Sequence, residues 1–151
     1  MILVIAALAI SVVLVKAAVT DNESVPFSFS QFVPCANGGA GEVVDLSGDL
    51  HVLTTLTING NNVSAVSHFQ PQGISGTGGT TGAKYQATGI TTESFKGSLQ
   101  NGQLSDTFVN NFRIIGQGPG NNLLVHEVGH ITFSADGTVR VDFDNPTVDC
   151  R

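Results

Sequence analysis

The sequence predicts an all-β chain, folded as an antiparallel up-and-down or meandering β-barrel of about eight strands, with a two-sheet β-sandwich as the alternative. Three observations carry this. Charged residues make up only 12% of the chain, and Trp is absent while Gly numbers 18. Thr, Ser, Val and Asn stand where a helical protein would place Glu, Lys and Arg. Apolar residues recur every second position in several runs, with Gly/Asn clusters between them.

At 151 residues the chain fits one domain with a real core. The segment "MILVIAALAISVVLV" carries no charge before Lys16. It is too short for a comfortable ~20-residue span and suits a signal-peptide h-region, although no basic n-region precedes it. Residues 1–18 are therefore expected to be a signal peptide or N-terminal anchor, 19–26 a flexible leader, and 27–151 the single β domain.

Within that domain "FSFSQFV" (27–33) alternates, with Phe27, Phe29 and Val33 on one parity. "VVDLSGDLHVLTTLTI" (43–58) is a long strand with Val44, Leu46, Leu50, Val52, Leu56 and Ile58 on one face. Gly48 within it predicts a bulge or bend of the kind barrels use. "NGNN" (59–62) predicts a hairpin turn and 63–70 its partner strand. "GISGTGGTTG" (73–82) is rich enough in Gly to predict a long flexible loop. Strands are expected at 83–91, 107–115, 123–133 and 138–144, with at most a short turn in 92–100.

Cys35 and Cys150 are expected to form a disulfide in an exported protein, tying the first strand to the last. The formal net charge is −6. Lys16 aside, the basic residues are Lys84, Lys96, Arg113, Arg140 and Arg151, and they form no patch. Nucleic acid and anionic membrane surfaces are disfavoured as partners, and no membrane insertion of the mature domain is expected. The expected location is secreted or periplasmic.

The string "HEVGH" (126–130) matches the zinc-protease motif H-E-x-x-H. It resembles the longer metzincin pattern, with Asp136 at the place where a snapalysin-like branch carries its last ligand. Phe133 occupies the required Gly position, no methionine turn follows, and only 15 residues remain after Asp136. The string also lacks helix signals: "GQGPGNN" precedes it. A strand explains more. A three-residue loop Ala135-Asp136-Gly137 would set Phe133 against Val139, Ile131 against Val141 and Gly129 against Phe143. Thr132 would then meet Arg140, and His130 would meet Asp142. On that strand His126 and His130 lie ~13 Å apart, so the two cannot share one ion, and no metal or cofactor is called for.

That strand sends Glu127 to the apolar face, where a carboxylate must be paired, hydrogen-bonded or protonated. Two readings follow: a ligand-orienting or acid/base Glu, or a residue that sits near the barrel mouth in water or pairs with Arg113. Gln70 and Gln72 in "HFQPQG" could also present amides to a ligand.

The stretch "NFRIIGQGPGNNLLVHE" is similar to small exported bacterial proteins of unassigned function, which implies export and no particular chemistry. The expected role is a lipocalin-like binding protein that holds a small, partly apolar ligand in the barrel. Candidate lining residues are Glu127, Tyr85, Arg113, Phe108 and Phe112. The alternatives are a cofactor-free isomerase or cyclase using Glu127, and a structural envelope protein with a filled barrel.

Overall fold

A computed structural model describes residues 17–118 and 120–151. The signal-peptide expectation thus falls largely outside the described residues. Seven antiparallel strands follow one another in a single meandering sheet, each paired with its neighbour in sequence. They are β1 (Ala17–Val33), β2 (Glu42–Asn59), β3 (Asn62–Gly78), β4 (Lys84–Ser98), β5 (Leu104–Gly116), β6 (Leu123–Phe133) and β7 (Val139–Cys150). A single 3-10 turn, Asn37–Gly39, lies between β1 and β2. Among the described residues no helix is long and apolar enough to cross a membrane.

Several strands outrun their sequence-based bounds. Residues 19–26, expected as a leader, belong to β1, where Val19 opposes Leu56 and Glu23 opposes Val52. Residues 73–78, expected in a flexible loop, continue β3, and 92–98 continue β4. In each case the neighbouring strand supplies a ladder of hydrogen bonds that outweighs weak local propensity.

The register follows the hydrophobic period. Hairpin β2–β3 closes through Gly60 and Asn61, with Asn59 opposite Asn62. The β2–β3 register shifts between Ser47 and Asp49, which places the bulge at Gly48. Hairpin β6–β7 has the three-residue loop: Ser134 N–H donates to Thr138 O over 2.9 Å, and Gly137 takes the left-handed φ of 83°. Phe133 opposes Val139, Thr132 opposes Arg140 and Ile131 opposes Val141. The remainder of the expected register is corrected by a bulge at Asp142. His130 opposes Phe143, and Gly129 opposes Asp144 rather than Phe143.

The core gathers at one end of the sheet, where β1, β3, β5 and β7 end and β2, β4 and β6 begin. Val33, Ala36, Val44, Leu46, Ile74, Tyr85, Ala87, Ile114 and Leu123 are buried there. Full burial of a side chain such as Leu46 or Ile74 stabilises by ~1.5–3 kcal/mol. The Cys35–Cys150 disulfide joins this end, with Cα atoms 5.5 Å apart. The bond fits an oxidising, extracytoplasmic environment.

The opposite half of the sheet is less covered, and every large side chain described there is partly exposed. Among the described residues β1 and β7 each pair on one side only, so the sheet is not closed by hydrogen bonds. Both edge strands carry acids and a proline. Asp21, Glu23 and Pro26 lie on β1, and Asp142, Asp144, Pro146 and Asp149 lie on β7.

Candidate functional site

One face of the sheet is concave, and the register identifies its residues. Phe27, Phe29, Gln31 and Val33 face inward from β1. Leu50 comes from β2, Phe69 and Pro71 from β3, Thr91 and Glu93 from β4, and Phe108, Asn110 and Phe112 from β5. Glu127 and Gly129 stand on the same face of β6.

This face holds a cavity of about 350 Å³. Its walls are mainly apolar: Phe27, Phe29, Leu50, Phe69, Ile74 and Phe112. The Phe29 ring meets Phe112 edge-on with centroids 5.4 Å apart, so β1 folds over β5 across the interior. Phe27, 42% exposed, packs 5.4 Å from Phe29 and marks the open side.

Four polar residues also line the cavity: Gln31, Thr91, Asn110 and Asn111. Thr91 and Asn110 are register partners, and the Thr91 hydroxyl donates to Asn110 Oδ1 over 2.8 Å. Gln31 Nε2 donates to the carbonyl of Phe32 at 3.0 Å, which leaves its own carbonyl free to accept. The arrangement is an aromatic and aliphatic pocket with a small polar end, the usual composition of a small-molecule site.

Acids extend that polar end along the inner face. Glu127 stands opposite Asn110 in register. Glu93 lies two residues beyond Thr91, and Asp106 is on β5 diagonal to it. Burial raises the Glu93 carboxyl above the ordinary Glu range, and the neighbouring Asp106 carboxylate adds to the shift. Asp106 Oδ1 is buried without a hydrogen-bond partner. By register, Lys84, Lys96, Arg113 and Arg140 all lie on the other face.

No protein-family model, curated protein or solved structure matches this chain.

Of the five residues expected to line a cavity, Phe112 does so. Phe108 faces inward, but its ring lies over Gly129, where any β-carbon would collide with it. Glu127 is half-buried on the inner face beside Asn110 and is not a lining residue. Arg113 is exposed on the outer face, in a shallow groove with His126 and Asp149. It lies on the opposite side of the sheet from Glu127, so the two do not pair. Gln70 and Gln72 also point outward, while Phe69 and Pro71 between them line the cavity.

Tyr85 is buried at the disulfide end and serves a different carboxylate. Its hydroxyl donates to Glu42 Oε1 at 2.8 Å. Glu42, only 2% exposed, also accepts from the Thr81 N–H at 2.9 Å, the Thr80 N–H at 3.2 Å and the Thr81 hydroxyl at 2.8 Å. The Thr81 N–H is the largest cause that lowers the Glu42 pKa to about 2, against the opposing effect of burial. Burial first, and Glu42 second, push Tyr85 up to about 12. The sequence signal was present: Glu42 shares the parity of Val44 and Leu46, the face that is buried.

"HEVGH" lies in β6 as a strand. His126 and His130 occupy the outer face, His126 bonded to Asn111 Oδ1 at 2.7 Å and His130 to Thr107 Oγ1 at 2.6 Å. His130 stacks on Phe143, centroids 5.9 Å apart. Two ligands and a base on one helical face are therefore not assembled by these five residues.

Proposed function

We propose that this chain is an extracytoplasmic binding protein that takes one small, mainly apolar molecule into the concave face of an incompletely closed barrel. The single observation that carries this is the cavity of about 350 Å³ walled by four phenylalanines, Leu50 and Ile74. Its volume falls at the lower end of the ~300–1,000 Å³ typical of ligand pockets. A filled barrel would put side chains in that space. Export through the apolar N-terminal segment belongs to the same reading, and the disulfide supports it.

The neutral fluorophore N-phenyl-1-naphthylamine tests the proposal, since its emission rises in apolar surroundings. Saturable binding at one molecule per chain is expected, weakened at least tenfold in Phe29→Ala and Phe112→Ala. Unsaturable binding, or binding indifferent to both substitutions, would refute it.

A further inference from the structure

The polar end of the cavity bears on the kind of molecule it accepts. The Thr91 hydroxyl donates to Asn110 Oδ1 at 2.8 Å. That bond uses the carbonyl side of the amide of this lining residue, and Nδ2 makes no hydrogen bond among the described residues, so it remains a donor. The surroundings favour the same orientation. Glu127 stands opposite Asn110, and an amide beside a carboxylate turns its N–H group, not its oxygen, toward the negative charge. Of the other two amides of the lining, Gln31 has its nitrogen committed to the Phe32 carbonyl, and Asn111 has the outer-face parity, with its Oδ1 bonded to His126.

We propose that Asn110 sets the ligand class: an apolar molecule with one neutral acceptor oxygen, such as a ketone or ester, that accepts the Asn110 Nδ2 hydrogen bond. This rests on the binding function proposed above and narrows it. The same face disfavours a carboxylate head group. Glu93, Asp106 and Glu127 lie along it beside the polar end, and no Lys or Arg of the seven strands shares it. Among the described residues, buried Asp106 Oδ1 has no hydrogen-bond partner, so no donor offsets the charge at that oxygen. An anionic head would meet repulsion in a poorly solvated place. Simple apolar complementarity would make a fatty acid and a long-chain ketone equivalent, whereas this polar end separates them.

Displacement of bound N-phenyl-1-naphthylamine by 2-dodecanone and by dodecanoate, at pH 8, tests the inference. The ketone is expected to displace the probe at a concentration at least tenfold below that of dodecanoate. Asn110→Leu removes the donor, and Asn110→Asp removes it while keeping an acceptor for Thr91. Each should weaken the ketone about tenfold more than it weakens the probe, the loss of one hydrogen bond. Should one variant fail to fold, the other decides. Equal or better displacement by dodecanoate would overturn the inference, and so would a ketone insensitive to the folded variants. Either result leaves the binding function standing. Absence of probe binding to the unsubstituted protein would instead overturn both.

Discussion

The phenol of Tyr85 donates to the carboxylate of Glu42 across 2.8 Å, joining the start of β4 to the start of β2 beneath the β3–β4 turn. The Thr80 and Thr81 N–H groups complete the cage. Each partner's titration is displaced away from neutrality. Glu42 stays ionised down to about 2, and Tyr85 stays protonated up to about 12.

A pH profile follows with a definite sign. Glu42 has a depressed pKa, so its contribution is present above its ordinary value of 4.5 and is lost as pH falls toward 2. Tyr85 has a raised pKa, so its contribution is full below 10 and is lost as pH climbs toward 12. Thermal unfolding across the pH range should show a shoulder in each window. Glu42→Gln should flatten the acid shoulder, and Tyr85→Phe the alkaline one.

Glu93 should behave in the opposite way to Glu42. Burial and Asp106 raise its pKa, so its ionisation opposes folding as pH rises through the folded-state value. Glu93→Gln should therefore raise the melting temperature at neutral pH and leave it little changed near pH 3. A variant less stable at neutral pH would contradict the shared-charge picture of Glu93 and Asp106.

Removing the Cys35–Cys150 bond should cost up to ~4–5 kcal/mol in the chain-entropy model, given the length of the loop that it closes. The loop spans 115 positions. A Cys35→Ser/Cys150→Ser variant under denaturant checks the value. The same variant should lose probe binding earlier in the titration than it loses strand signal in circular dichroism, since the disulfide holds the ends of β1 and β7 together.

Gly129→Ala tests the packing above the cavity. The new methyl would collide with the Phe108 ring, and overpacking of this kind costs ~1–3 kcal/mol. Chemical denaturation gives the cost directly, and a double variant with Phe108→Leu should recover part of it.

Much of this fold was legible in the period of the apolar residues. β6 matched its sequence-based bounds, and the strand character of "HEVGH" followed from turn chemistry alone. The hairpin register held from Phe133 to Ile131 because Gly137 fixed the loop. It then failed at Asp142, since a bulge there is set by local contacts. The Arg140 guanidinium lies 2.6 Å from Asp142 Oδ1, and the Thr132 hydroxyl donates to Oδ2 at 2.8 Å. No periodicity announces such a trap. The Gly-rich end of β3 resembled a loop because its strand state depends on β2 and β4. Phe112 lines the cavity, whereas Arg113 lies on the outer face and Tyr85 binds Glu42, because sequence parity separates faces but does not say which polar groups a buried acid will recruit. Glu127 stands out as an inward charge because Glu93 lies in 92–100, where at most a short turn is expected, and Asp106 lies just ahead of the strand expected at 107–115.

The edges of the sheet have a consequence for the protein's behaviour at high concentration. An open sheet with two unpaired borders invites other chains to add strands and grow into fibrils. Pro26 and Pro146 put a residue without an N–H into each border strand, and the acids of β1 and β7 repel any like border that approaches. A covalent clasp at one end thus replaces the zipper that would close a barrel. The sheet can keep both borders open without becoming a template for its neighbours.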